Sequence, residues 1–255
     1  MYLKVNNLSF AYGDKNVLSA VNFDVKRGES LGIIGPNASG KTTLLRIMSG
    51  VYLSLQGEVL YRGKSLSSFR KKELAKIFAF VEQEGVPPLT FTIEEVVAMG
   101  RYPWLKPFSG LSKKDYKIIE HVLLTLDIWD KRKQPVNALS GGERQLVALA
   151  LAMAQEPKVL FLDEPTTYLD IGHQLSVMQY VRNWQKEKEL TVIIVLHDLN
   201  LAAKYSDRLL LMNQGTIQKI GAVSDVITEQ EIEIVYKTKP IMIQHPTNKV
   251  PQIIL

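Results

Sequence analysis

Residues 31–50 read LGIIGPNASGKTTLLRIMSG. LGIIG is a short apolar run ending in glycine, the pattern of a buried strand that runs into a turn. TTLLRIMSG has the apolar spacing and closing glycine of a helix. Between them, GPNASGKT matches glycine, four residues, then glycine, lysine and a hydroxyl residue. Backbone N–H groups ring a phosphate only when no side chain stands in the way, and a helix start aims its positive end at the same anion. The turn thus reads as a phosphate cradle built from Gly35, Pro36, Asn37, Ala38, Ser39, Gly40, Lys41, Thr42 and Thr43. Lys41 is placed to bridge the outer phosphates and the Thr42 hydroxyl to bind magnesium. A chance match in a chain this long is about a 1% event, and the placement between strand and helix lowers it further.

Working outward, KVLFLDEP (158–165) ends an apolar strand on Asp163, where open parallel sheets bind ligands. Such a carboxylate holds magnesium in nucleotide sites. Glu164 follows directly, placed to orient or deprotonate a water, which favours hydrolysis over transfer to a second substrate. LTVIIVLHD (190–198) and FAFVEQ (78–83) also read as strands, ending at His197 and Gln83. His197 is expected at the same sheet edge as Asp163, and the Gln83 amide could reach a magnesium-bound water. Each of the two, taken alone, is ordinary strand-end chemistry.

A second stretch, LSGGERQLVALALAMA (139–154), opens an apolar helix. Ser140 and Glu143 form a capping box, but Gly141 and Gly142 each cost up to about 1 kcal/mol of helix propensity against alanine. Something is expected to approach that backbone closely.

Elsewhere, the first thirty residues read as short strands with turns at Gly13–Asp14 and Arg27–Gly28, an antiparallel opening. GEVLYRG (57–63) reads as a further strand and SSFRKKELAKI (67–77) as a polar helix. From about residue 84 the pattern turns helical, with a capping box at Thr92/Glu95, a later helix capped by Ser112, and a Pro/Gly-rich loop, GRYPWLKPFSG, between them. A helix over about 172–188 is the expected crossover between two parallel strands. RLLLMNQGTIQKIG (208–221) reads as a hairpin, and Thr228/Glu231 as a capping box before a short terminal helix. The expected divisions are a nucleotide-binding core over 1–83 and 157–221, a helical insert over 84–156 and an extension over 222–255 that packs on the core.

The chain has 255 residues, 46% hydrophobic and 22% charged, with a formal charge of +5, enough to bury a large core. It contains no cysteine, which excludes disulfides and thiolate metal sites. No apolar run approaches the roughly 20 residues that span a bilayer, and MYLKVNNLSFAY lacks the apolar core of a signal peptide. A soluble, cytoplasmic chain is expected.

Together, GPNASGKT, Gln83, LSGGERQ, VLFLDEP, the pair Leu169–Asp170 and His197 resemble the nucleotide-binding subunit of ABC transporters, over about residues 1–220. The resemblance implies an α/β fold: a P-loop NTPase (RecA-like) core with an N-terminal antiparallel β-subdomain and an inserted α-helical subdomain. It implies ATP and Mg2+ as cofactors and a homodimer in which Leu139, Ser140, Gly141, Gly142, Glu143, Arg144 and Gln145 of one copy contact the ATP held by the other. Tyr12 would stack on adenine, Lys41 and Glu164 would act in catalysis with Glu164 as general base, and His197 would touch the γ-phosphate. Thr42, Gln83 and Asp163 would serve the metal, and Asp170 would line the dimer contact. Two departures stand out: Ala38 where glycine is common, and Glu82 before the glutamine where a less charged residue is usual.

GRYPW and EPTTYLD further resemble the subfamily that energises uptake of iron-siderophore chelates, haem and cobalamin. That implies two integral membrane permease subunits, an extracytoplasmic substrate-binding protein, a peripheral place on the cytoplasmic face of the membrane and no direct nucleic-acid contact. Other readings stay open: an ABC ATPase acting on nucleic acid or the ribosome, an importer ATPase for an oxyanion or metal ion, an exporter, and a module in which ATP only glues subunits.

Overall fold

The computed structural model describes residues 2–54, 56–246 and 249–254. The chain forms two compact units, Met1–Phe69 with Glu189–Leu255, and Arg70–Lys188.

The first unit carries strands of three sheets among the described residues. Leu3–Tyr12 pairs antiparallel with Lys15–Val25 and with Gln56–Tyr61, which pairs in turn with Lys64–Ser65. The two leading strands are long, 10 and 11 residues, where the sequence suggested short ones. Bulges explain the broken alternation. Asn7 and Ala20 take positive φ, and side chains replace ladder groups there: Asn22 Oδ1 accepts from Asn7 N at 2.8 Å and Ser9 Oγ from Ala20 N at 3.0 Å.

In the second sheet Ser30–Ile34 lies between two parallel neighbours, Thr191–Val195 and Arg208–Asn213. Both Ser30–Ile34 and Thr191–Val195 are buried along their whole length, as continuous apolar runs predict for strands covered on both faces. Thr216–Ala222 closes the edge as the expected hairpin with Arg208–Asn213. The helix Lys41–Met48 packs Leu44, Leu45 and Met48 into this core.

The last 34 residues, given no sheet in the sequence reading, hold one. A helix, Glu229–Tyr236, is followed by strands Ile241–Gln244 and Pro251–Ile254 paired antiparallel. Only half of the expected capping box forms. Thr228 Oγ1 accepts from Glu231 N at 3.2 Å, but the Glu231 carboxylate is taken by Gln218 at 3.2 Å and Lys219 at 3.8 Å.

In the second unit, Phe78–Val81 pairs parallel with Val159–Asp163. The polar segment 67–77 yields only a helical turn, Lys71–Leu74, with no buried residue, because it offers no apolar face to pack. Ile93–Met99, Lys113–Thr125 and Gly141–Ala154 form the helical part, each opened by its predicted cap, and Ile171–Lys188 follows Val159–Asp163. Val96, Val97, Leu123, Val136 and Ala150 are fully buried among them. Arg101, 3% exposed, donates to Asp115 at 2.8 Å, to the Ala154 carbonyl at 2.6 Å and to Glu156 at 2.9 Å. It ties GRYPW to the ends of two helices.

Candidate functional site

The turn 35–42 has the geometry its glycines require. Gly35 has φ +149°, and a Cβ there would lie 2.4 Å from the Met212 carbonyl oxygen. Gly40, the N-cap of Lys41–Met48, has φ +99°, and a Cβ would meet Leu18 at 2.8 Å and the Val17 carbonyl at 2.9 Å. Only glycine fits either place. Ala38, where the resembling family often has glycine, is also left-handed at φ +61°. The substitution therefore keeps the conformation and stores strain.

Lys41 is 5% exposed and donates from Nζ to the carbonyls of Gly35 and Pro36, each at 2.9 Å. Its ammonium is thus folded over the loop. Ser39 is 2% exposed, and among the described residues its Oγ has no hydrogen-bond partner. A buried hydroxyl costs about 1–3 kcal/mol when unsatisfied, and an orphan in the turn beside the Lys41 ammonium suits a phosphate. Thr42 is half-buried and Thr43 buried, in the first turn of the helix. The register Ile33↔Val195 and the bond from Leu196 N to Ile33 O at 3.2 Å end both strands at one edge. The cradle and the exposed His197 leave from that edge of the first unit. Tyr12 is 49% exposed and packs edge-on to Phe10 at 5.0 Å and to Tyr52 at 6.3 Å.

Within the second unit, Val81↔Leu162 register puts Gln83 and the pair Asp163–Glu164 at the same carboxyl edge. Asp163 is 4% and Glu164 8% exposed. Glu164 has φ +50°, an uncommon conformation for a glutamate that costs of order 1 kcal/mol or more and concentrates at functional positions. The Thr167 hydroxyl donates to its Oε2 at 3.4 Å.

The signature helix opens as predicted: Ser140 Oγ accepts from Glu143 N at 3.3 Å, and the Glu143 carboxylate accepts from Ser140 N at 2.9 Å. The Lys131 ammonium, 2.5 Å from that carboxylate, and the Ser140 backbone hold the Glu143 pKa down at about 2. Arg144 donates to the Leu139 carbonyl at 2.9 Å, and Gln145 is buried with its Nε2 unpartnered among the described residues. Gly85, at φ +66°, leaves no room for a side chain against Gln145 Oε1, 2.7 Å from an added Cβ. Gln83, Gly85, Gly141, Arg144, Gln145 and Leu169 line a cavity of about 450 Å3. The unit therefore brings the glutamine turn, the signature and the Leu169 loop together.

Among the described residues, Gly141 and Gly142 find no steric reason for lacking a side chain. An added Cβ on Gly141 meets nothing within 4 Å, and one on Gly142 meets only ordinary contacts at 3.4 Å with His173 and Leu169. Both are helical, so neither needs a positive φ. Asp170, by contrast, has local work: it accepts from His173 N at 2.9 Å and pairs with His173 Nδ1 at 2.7 Å at the start of Ile171–Lys188. His173 escaped the sequence reading. Its only signal was a spacing of three from an aspartate.

Comparison with known proteins agrees with this geometry. The family model described as "ABC transporter" matches residues 18–167. An ABC transporter ATP-binding protein of Bacillus subtilis, YvrA, is 39% identical over 254 residues, 99% of this chain, and the chain spans 58% of the length of YvrA. The iron(3+)-hydroxamate import ATP-binding protein FhuC of the same organism is 36% identical over 97% of this chain and 92% of its own. An inward-facing structure described as a metal-chelate type ABC transporter superposes with a TM-score of 0.86 at 26% identity, over 99% of this chain and 96% of that one. A phosphate-loop strand and helix, a capped glycine-led signature and this likeness over nearly the whole chain lead to one assignment: the chain belongs to the ABC transporter family, as an ATP-binding, P-loop-containing cassette.

Proposed function

We propose that this chain is the ATP-hydrolysing subunit of an importer for metal chelates. It acts as a homodimer beneath two integral membrane permease subunits, on the cytoplasmic face, with an extracytoplasmic binding protein delivering the cargo. The observation that carries the dimer is the pair Gly141–Gly142: among the described residues an added Cβ would meet nothing at Gly141 and only ordinary contacts at Gly142. One complete cradle at 35–42 and a second, bare helix start imply that each triphosphate is enclosed by two copies. The extent of the likeness to FhuC and to a metal-chelate type transporter supports the cargo class. Among the described residues no helix is long and apolar enough to cross a membrane.

In this reading the backbone of 35–42 and Lys41 grip the phosphates and Tyr12 faces the adenine. Thr42 and Asp163 would hold Mg2+, with Gln83 reaching its water. That donor set suits a metal ordinarily bound by one or two carboxylates plus substrate phosphates. The ion would supply charge neutralisation at the outer phosphates. Glu164 takes the proton of the attacking water and His197 contacts the γ-phosphate. Asp170 lines the contact between copies, and the helical segment 84–156 carries both the signature and the surface facing the permease. Hydrolysis splits the anion that joins the copies, and the dimer loosens, a ligand-driven two-state switch. Co-reconstitution with the cognate permease tests the whole reading: ATP-dependent uptake of a ferric hydroxamate is expected, and transport confined to sugars or peptides would refute it.

A further inference from the structure

The C-terminal segment after Ala222 reaches the ATP-binding edge of the first unit at two separate points. At the first, the Tyr236 hydroxyl, on the last residue of the helix Glu229–Tyr236, lies against the backbone amide of Gly35, the first residue of the cradle. At the second, Asn200 makes a two-point contact with the terminal strand. Its Nδ2 donates to the Ile253 carbonyl at 3.1 Å and its Oδ1 accepts from the Ile253 N–H at 2.8 Å. This is the pairing one strand gives another, supplied here by a side-chain amide. Asn200 is the second residue of the helix Leu199–Tyr205, which Asp198 caps through bonds to Asn200 N at 2.7 Å and Leu201 N at 2.9 Å. His197 immediately precedes that cap. The helix has only 7 residues, too short to hold its own ends without tertiary support.

The contacts are built rather than incidental. Val226, Ile227, Ile232, Val235 and Ile253 are buried at 8% exposure or less, so the segment is anchored by its own apolar residues. Both main-chain groups of Ile253 are spent on Asn200, not on the hairpin partner Met242 opposite it. Burial pushes the Tyr236 hydroxyl up to about 12, with the Gly35 amide pulling the other way, so it stays a neutral phenol at physiological pH.

We propose that the C-terminal segment is a strap that sets the ATP site, with Tyr236 and Asn200 as positioning residues: Tyr236 fixes the start of the phosphate cradle and Asn200 fixes the helix that presents His197. The proposal rests on the ATPase reading above. It assigns different duties to the two ends. Tyr236 acts where the nucleotide is gripped, so its loss weakens binding. Asn200 acts through a residue that meets the γ-phosphate, so its loss slows turnover.

The test is steady-state hydrolysis by the full chain, with fluorescent-nucleotide displacement and thermal unfolding on the same samples. Tyr236→Phe is expected to raise KM and the nucleotide Kd about fivefold with kcat within about twofold of the parent. Asn200→Ala is expected to lower kcat about fivefold or more at unchanged KM. Asn200→Asp, which keeps an acceptor for the Ile253 N–H and loses the donor to the Ile253 carbonyl, should lower kcat in the same direction and carries the test if Asn200→Ala fails to fold. Unfolding temperatures within about 2 °C of the parent accompany these changes. Unaltered constants, or kcat and KM drifting together with a falling unfolding temperature, would reduce the segment to packing and overturn the proposal. A parent chain without ATPase activity would instead refute the ATPase reading itself.

Discussion

Ala38 and Gly141 carry opposite lessons about single residues. Ala38 holds φ +61° beside Gly35 and Gly40. A left-handed alanine costs roughly 1–2 kcal/mol, while glycine gives back about 0.4–1 kcal/mol through the unfolded chain. Ala38→Gly is therefore expected to stabilise the protein by up to about 1 kcal/mol, read as a shift in the denaturant midpoint at constant slope. Gly141 has open space around it and a helical backbone. Gly141→Leu should gain stability from helix propensity, again up to about 1 kcal/mol, while on the proposed dimer reading hydrolysis falls at least tenfold, the bulk meeting the nucleotide of the other copy. A variant that is more stable and fully active would show that nothing approaches there. The residue scale was the most legible in the sequence, because a phosphate cradle dictates which positions lack a Cβ and a strand end dictates where Asp163, Gln83 and His197 emerge.

Among the elements, Arg101 concentrates the energetics. It is buried, and it joins Asp115, Glu156 and the Ala154 carbonyl. Removing one partner of a buried pair leaves an uncompensated charge, so Arg101→Ala should cost about 3–5 kcal/mol and loosen the helices Lys113–Thr125 and Gly141–Ala154 together. Hydrogen exchange in both helices reads that directly. Nothing in GRYPW alone announced this: the partners are Asp115, 14 residues on, and Glu156, 55 residues on. Elements defined by local signals were foreseen, with Thr92, Ser112 and Ser140 all capping as their spacing says. Those that depend on distant contacts were not. The terminal hairpin meets Asn200, 53 residues away from Ile253, and segment 67–77 keeps only the helical turn Lys71–Leu74, its flanks held by Gln155 at the Ala75 carbonyl and by Tyr61 against Phe69.

For the whole molecule, acid stability follows from two carboxylates. Burial pushes Asp115 up, but hydrogen bonds from Ser112 and the ion pair with Arg101 outweigh it and hold the group at about 2. Glu143 is held at about 2, chiefly by Lys131. Both folded values lie below the ordinary carboxylate values of 3.8 and 4.5. Their contribution is therefore full above pH 4.5 and lost as pH falls toward 2, with Asp115 worth on the order of 1 kcal/mol after screening. Stability measured by urea denaturation should be flat near neutrality and drop across that window. Glu143→Gln, which retains the capping geometry, should lose less than about 1 kcal/mol at pH 7 and show a shallower acid limb. The most direct measurement concerns the number of copies around one triphosphate. In light scattering with Mg-ATP, Glu164→Gln is expected to shift from the 28.8 kDa chain to twice that mass, and Gly141→Leu added to it should abolish the shift. A Glu164→Gln chain that binds ATP tightly and stays a monomer would contradict the account.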